Sequence, residues 1–275
     1  MPELPEVENV RRSLEKCVLG KEIAEIKITL PRMIKNLDAE IFSRELVGKK
    51  ITAVERRGKY LLILLDDDWH WIVHLRMTGK LLYVPDISVE KPKHTHIVVQ
   101  FTTGDGMFYN DIRTFGTHYF VKKNDFNMIN GLYTLGKEPF DLGFNAVYLE
   151  KTVKNSKENM KGFLLNQKNI AGLGNIYVDE VLFASGIAPT RKVNTLTHSE
   201  AQALVENIQT ILQLSIDNGG TTFRDYVNAN GEKGNFQLTL AVYGREGEPC
   251  LKCGASLSKT KLGGRGTCCC NICQK

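Results

Sequence analysis

The chain has 275 residues, 42% of them hydrophobic and 24% charged. That length and balance exclude a disordered or collagen-like chain and a stapled mini-protein, and allow one large domain or two moderate ones. The formal net charge of +5 tilts slightly toward polyanionic partners, which means little until the charges are located. No apolar run reaches the roughly 20 residues of a membrane span and the N-terminus has no signal-peptide core, so the expectation is a cytosolic protein without a membrane partner.

Pro5 suits the first turn of a helix, and the acidic residues after it suit the helix dipole. Val7, Val10, Leu14 and Cys17 recur at helical spacing until Gly20, which puts Cys17 on a buried face as a structural thiol. From about residue 22 to 122 the apolar period becomes two, or short continuous runs. Strands are expected at Ile23–Leu30, Ile51–Glu55, Tyr60–Leu65, Trp69–His74, Lys80–Val84, His96–Phe101, Met107–Asn110 and His118–Val121. Breaks such as Asp66-Asp67-Asp68, Thr78-Gly79 and Gly104-Asp105-Gly106 separate them, a spacing that predicts a β-sandwich or barrel. After about residue 125 the pattern turns helical, at Ala146–Lys154, Met160–Gln167, Ile176–Ser185 and Ser199–Asp217. Thr197-His198-Ser199-Glu200 offers caps for the last helix and Gly219-Gly220 stops it. Residues 219–237, rich in Gly, Thr and Asn, read as a long loop, a feature that in a compact protein is functional or mobile.

Six of the seven cysteines fall between Cys250 and Cys273. A disulfide framework spreads its bridges along the chain, whereas a cluster at one end reads as a metal site. Cys250, Cys253, Cys270 and Cys273 form C-x2-C-x16-C-x2-C, the spacing of a four-cysteine zinc ribbon whose closed ligand set is structural. One zinc ion per chain is expected, with Cys268 and Cys269 as non-ligands and no organic cofactor. Lys259–Thr267, between the pairs, reads as a basic hairpin tip suited to phosphate or minor-groove contact.

Pro2 follows an initiator methionine of the kind normally removed. Its freed secondary amine would titrate in the α-amino range, about 8, within reach of useful nucleophilicity. Attack on an aldehydic carbon gives an iminium that is cationic without further protonation and so a ready electron sink. Glu3 and Glu6 stand beside it for acid–base work.

Pro2-Glu-Leu-Pro-Glu-Val-Glu8, Arg56-Arg-Gly-Lys-Tyr60, His74-Leu-Arg-Met-Thr-Gly79, Asp111-Ile-Arg-Thr-Phe-Gly116, Ala171-Gly-Leu-Gly-Asn-Ile-Tyr-Val-Asp-Glu180 and Gly264-Arg-Gly-Thr267 occur in that order. Together they resemble the bacterial formamidopyrimidine-DNA glycosylases (the Fpg/MutM family), from the first residue to the last. The resemblance implies an α+β fold with three parts. An N-terminal helix and β-sandwich catalytic domain covers 1–125, a helix-two-turn-helix DNA-binding domain covers 126–240 with a lesion-recognition loop at about 219–237, and a zinc finger covers 241–275. It implies a bifunctional base excision repair enzyme, glycosylase and abasic-site lyase, acting on double-stranded DNA with oxidised purines such as 8-oxoguanine and formamidopyrimidines, or with abasic sites. A bacterial, cytoplasmic, nucleoid-associated monomer follows.

The same resemblance implies the residue roles. Pro2 is the nucleophile, Glu3 the acid that helps open the sugar, Lys59 the β-elimination lysine, and Arg265 the ribbon arginine linked to δ-elimination. His74, His94, Lys161 and Asn175 touch DNA; Met77, Arg113 and Phe115 fill the gap left by the extruded nucleotide; Thr221, Arg224 and Tyr226 meet the base. Cys268 and Cys269 stand where the family usually has aromatic or histidine residues. Alternatives are an endonuclease VIII-type enzyme for oxidised pyrimidines, against which Leu4 and the Met77/Arg113/Phe115 trio argue, and a non-enzymatic zinc-containing DNA-binding protein.

Overall fold

A computed structural model describes residues 1–154, 156–223 and 225–275. Two compact units make up the chain: Met1–Tyr133 with Asn218–Asn235, and Thr134–Asp217 with Phe236–Lys275. In the first lie α1 (Leu4–Val18), β1 (Ile23–Ile28), α2 (Ala39–Leu46), β2 (Ile51–Arg57), β3 (Tyr60–Leu65), β4 (Trp69–His74), β5 (Gly79–Val84), β6 (Thr95–Phe101), β7 (Gly106–Asp111), β8 (Thr117–Lys122) and the single turn α3 (Asn130–Tyr133). In the second lie α4 (Ala146–Val153), α5 (Met160–Leu165), α6 (Asn175–Ala184), α7 (His198–Asp217), β9 (Ser258–Leu262) and β10 (Arg265–Cys269).

All eight expected strands of the first unit form, in two antiparallel sheets ordered β1-β6-β7-β5 and β2-β3-β4-β8. The sheets make a sandwich because both feed one core. Ile26, Leu81, Val99 and Met107 of the first sheet cluster with Val54, Ile63, Trp71 and Phe120 of the second, and Val7, Val10 and Leu14 of α1 join them. Helix α2 lies outside the expected elements; it buries only Phe42 and Leu46 into that core, too few positions for a periodic signal. Cys17 is half-buried rather than enclosed, packing on the core edge with its thiol 3.5 Å from Asn230 Oδ1.

In the second unit, α6 packs against α5, α7 and β10. Tyr177 of α6 is fully buried and its hydroxyl lies 2.6 Å from Ser215 Oγ of α7. Among the described residues no helix is long and apolar enough to cross a membrane.

His118, on β8, is a fully enclosed titratable group of the sandwich. Trp71 Nε1 donates to its Nδ1 at 3.2 Å, which fixes the neutral Nε2–H tautomer, and that Nε2 has no hydrogen-bond partner among the described residues. Burial lowers its pKa to about 3. The unfolded chain protonates this histidine near 6.5, so between 6.5 and about 3 the unfolded state holds more protons. The native state is fully stabilised above 6.5 and weakens as pH falls, by at most about 1.4 kcal/mol per pH unit from this one group. The urea midpoint should therefore drop between pH 7 and pH 5, and drop less in His118→Phe; equal drops would contradict this assignment.

Candidate functional site

The N-terminus is pinned by a reciprocal capping box. Glu3, the N-cap of α1, accepts from the backbone N–H of Glu6, and Glu6 Oε2 accepts from the backbone N–H of Glu3 at 2.8 Å. Pro2, Glu3 and Glu6 are all buried. The other oxygen of Glu6 accepts from Thr221 N–H at 2.7 Å, and its carbonyl from the Tyr226 hydroxyl at 3.1 Å. Burial, with the Glu6 charge beside it, pushes the Tyr226 phenol up and keeps it a donor. Ser13 Oγ accepts from Ala229 N–H at 3.0 Å, and Ala229 O accepts from Tyr83 N–H at 2.9 Å.

The segment 218–235 is thus laced onto α1 and β5, with its ends joined by Asn235 N–H to Asn218 O at 2.9 Å. These bonds group it with the sandwich unit, although the sequence reading attached the loop to the helical domain. Gly220, at φ +84, is required there: a Cβ would sit 3.1 Å from Glu6 Oε1. Thr221 is buried and Tyr226 half-buried, both tied to Glu6. Arg224, the third expected base contact, lies outside the described residues.

Lys59 sits on the two-residue connection of the β2–β3 hairpin, after Gly58 at φ +58. A lysine on a turn reads as exposed, yet Lys59 is only 6% exposed. Arg56 holds that turn to α1, donating to Glu8 Oε2 at 3.1 Å and to Gly58 O at 3.0 Å. Burial opposes ionisation of Glu8, but hydrogen bonds from Arg11 and Arg12 and the Arg56 charge hold its carboxyl below the usual range. His74 is buried against the Tyr60 ring and accepts at Nδ1 from Arg76 N–H at 3.0 Å. Burial and the nearby Arg76 and Lys59 charges lower its pKa to about 3. At neutral pH it is an uncharged imidazole whose Nε2–H can donate to an anionic oxygen.

Met77 and Phe115 are exposed apolar side chains, Phe115 at 53%, with the Arg113 guanidinium over the Phe115 ring at 4.8 Å. Asp111, absent from the sequence-derived site, organises both segments. Its carboxylate is fully buried, and accepts from the Thr78 hydroxyl, from Arg113 N–H at 3.2 Å and from Gly116 N–H at 2.8 Å. Gly116 admits no side chain, since a Cβ would overlap the Tyr109 hydroxyl at 1.6 Å. The one sequence signal was an Asp opening a loop, the mark of a side chain bonding its own backbone. A groove of about 480 Å³ beside this loop is lined by Met1, Arg32, Lys35, Arg76, Met77, Thr114, Phe115 and Thr117, three cations and no carboxylate. Arg32 and Lys35 carry no motif and are not distinguishable from surface charge by sequence, and Arg76, inside the His74–Gly79 motif, had no role of its own there. His94 is exposed at φ +66, and its carbonyl accepts from Asp111 N–H at 3.0 Å.

In the second unit the sulfurs of Cys250, Cys253, Cys270 and Cys273 all lie within 4.8 Å of one another. Zinc bound by four thiolates at about 2.3 Å needs sulfur separations of about 3.8 Å. The pairs Cys250–Cys273 at 3.9 Å and Cys253–Cys270 at 3.5 Å fit that tetrahedron. Cys268 is not one of that sulfur cluster and packs in the small apolar core of Phe183, Val242 and Leu257 that also takes Cys250 and Cys270. Arg265 opens β10 after a Gly263-Gly264 turn with both φ positive, the tight connection glycine permits.

Helix α6 grips the ribbon along its length. Asn175 Nδ2 donates to Gly266 O at 3.0 Å, and Asp179 Oδ2 accepts from Cys268 N–H at 3.0 Å. Glu180 accepts from the backbone N–H groups of Ala241, Val242 and Tyr243 at 2.8, 2.9 and 2.8 Å. Lys252 Nζ reaches Phe183 O at 3.2 Å and Ala184 O at 3.3 Å, a cation on the helix C-terminus. Lys161, expected on DNA, is turned inward: it is 1% exposed and its ammonium meets Asp179 Oδ1 at 2.7 Å and Gly266 O at 2.8 Å. Sequence alone does not separate a buried, paired lysine from a surface one.

Residues 1–118 match the formamidopyrimidine-DNA glycosylase N-terminal domain and residues 135–227 its H2TH domain. The chain belongs to the formamidopyrimidine-DNA glycosylase family. It is 47% identical over 277 residues to the Bacillus cereus enzyme of that name, covering all of this chain and 99% of the relative. Among solved structures it is similar to the wild-type Lactococcus lactis Fpg (MutM) in complex with a N7-benzyl-Fapy-dG containing DNA, at a TM-score of 0.92 and 39% identity, with both chains fully covered. MutM in complex with carbocyclic 8-oxo-G containing DNA gives a TM-score of 0.92, 40% identity and the same full coverage.

Two outcomes follow from this site. Elemental analysis should find about one zinc per chain, lost in Cys253→Ser together with DNA binding; a metal-free native protein would overturn the assignment. Asp111→Ala should cost about 1–3 kcal/mol by leaving buried N–H groups unmet and should abolish hydrogen-exchange protection at the Gly116 amide. Retained protection would contradict the role given to Asp111.

Proposed function

We propose that the protein excises oxidised purines from double-stranded DNA through an iminium on Pro2 and then nicks the strand by β,δ-elimination. The observation that carries this is the buried Pro2–Glu3–Glu6 constellation. A capping box spends two carboxylates on fixing one chain end, and the relatives are glycosylases over their whole length.

Removal of Met1 exposes the Pro2 amine, which attacks C1′ of the damaged nucleotide. The glycosidic bond breaks and the base leaves with its bonding pair. Chemistry at C1′ needs the nucleotide out of the stack. Met77, Phe115 and Arg113 serve as the wedge that fills the vacated space, and their exposure on loops held by Asp111 supports that role. Glu3 acts as the acid that opens the sugar. A proton then leaves C2′ and the C3′–O bond breaks, releasing one phosphate, with Lys59 serving this β-step. A proton leaves C4′ and the C5′–O bond breaks, releasing the other, with Arg265 serving the δ-step. Water hydrolyses the remaining iminium, returning the Pro2 amine and an unsaturated aldehyde.

His74, His94 and Asn175 hold the DNA backbone, and Thr221, Arg224 and Tyr226 belong to the segment that meets the base. The cationic groove with Arg32, Lys35 and Arg76 supports the same polyanionic ligand. Cys250, Cys253, Cys270 and Cys273 would hold the zinc ion, whose closed ligand set would supply structure rather than chemistry. In functional terms residues 1–125 carry the reaction, 126–240 bind DNA and include the recognition loop, and 241–275 form the zinc finger. The enzyme works as a monomer in the bacterial cytoplasm on nucleoid DNA. The oxidised-pyrimidine and non-enzymatic readings have no observation of their own in favour.

Borohydride reduction converts an iminium into a stable covalent adduct. The mature protein should be trapped on a duplex carrying 8-oxoguanine opposite cytosine, with Pro2→Gly or retained Met1 lowering the yield about a hundredfold or more. Absence of any adduct with the mature protein would sink the proposal.

A further inference from the structure

The carbonyl of Gly266, the residue after Arg265, is bound twice, by Lys161 Nζ at 2.8 Å and by Asn175 Nδ2 at 3.0 Å. The same lysine pairs with Asp179 Oδ1 at 2.7 Å, and the other oxygen of Asp179 takes Cys268 N–H at 3.0 Å. Strand β10 is therefore held at two backbone points, two residues apart, by one ion pair whose side chains are each 1% exposed. The strand's other holds are the pairing with β9, the Asn175 amide and the apolar core around Cys268, and none of them carries charge to this backbone. A two-stranded hairpin is marginal by itself, its tip is Gly263-Gly264, and β9 faces solvent over Lys259–Lys261.

Net stability does not explain such a pair. Two charges taken out of water recover their desolvation cost only with full hydrogen bonding, and apolar residues of similar volume usually hold helices as well or better. Apolar replacements would, however, leave Cys268 N–H and part of the Gly266 carbonyl unmet. The pair gives the strand that begins with Arg265 a single position, with the ammonium and the Asn175 amide converging beside it.

We propose that Lys161 and Asp179 are a positioning pair for Arg265, and that they set how much of the cleavage proceeds through δ-elimination rather than stopping after β-elimination. The inference rests on the role given to Arg265 above. Neither residue touches the substrate; both act through the β10 backbone.

The test uses full-length, zinc-loaded protein and an end-labelled duplex with one abasic site, on which β-only and β,δ products differ in their 3′ ends. Asp179→Asn keeps the side-chain volume but loses the charge. It should lower the δ-to-β product ratio about tenfold, while borohydride trapping stays within about twofold and zinc content is unchanged. Lys161→Gln, which disturbs the pair from its other side, should shift the ratio the same way. An unchanged ratio in both variants with zinc retained overturns the proposal. A parallel loss of trapping and of both eliminations also overturns it, because the pair would then be merely structural. Arg265→Ala separates the two readings. If it shifts the ratio and the pair variants do not, the positioning role alone fails; if it leaves the ratio unchanged, the role of Arg265 fails and this inference with it.

Discussion

Burying a carboxyl group is costly unless its oxygens are met by donors. This chain does so repeatedly, and each time the donors include backbone N–H groups of a segment with a functional assignment. Glu6 takes the N–H of Glu3 and of Thr221; Asp111 takes those of Arg113 and Gly116. Asp179 takes that of Cys268, and Glu180 those of Ala241, Val242 and Tyr243. Loops have little intrinsic preference for one conformation, and an oxygen that must be satisfied supplies one. The N-terminal turn, the wedge loop, the glycine-rich segment and the ribbon all depend on that constraint.

The sandwich and the helices serve as rigid ends for these struts. Glu3 and Glu6 are fixed in position because α1 buries Val7, Val10 and Leu14 in the same core as both sheets. Asp179 and Glu180 act together because consecutive residues of α6 reach different parts of the ribbon, while Phe183 enters the ribbon's own core. Cys250, Cys253, Cys270 and Cys273 would hold a zinc ion that ties the two cysteine pairs together.

Much of this was legible in the sequence, for local reasons. Strands with alternating apolar residues and the C-x2-C pairs announce themselves over a few positions, and the N-terminal and loop motifs were enough to suggest the family. What escaped was non-local. Asp179 and Cys268 are 89 residues apart and Glu180 and Val242 are 62 apart, so no periodicity links them. Lys161 was expected on DNA from the family resemblance, and its burial is decided by Asp179, a partner the sequence does not mark. Lys59, on a hairpin turn, is likewise buried by contacts that the sequence does not mark. Cys268 had no explanation until the ribbon's apolar core gave it one.

The central claim is that the chain's own N-terminal amine, fixed by Glu3 and Glu6, forms the covalent intermediate. Peptide mapping by mass spectrometry of the borohydride-reduced complex with an 8-oxoguanine duplex tests it most directly. The account predicts the sugar remnant on the N-terminal peptide, on the nitrogen of Pro2, with Met1 absent. An adduct on Lys59 or any other lysine, with Pro2 unmodified, would contradict it.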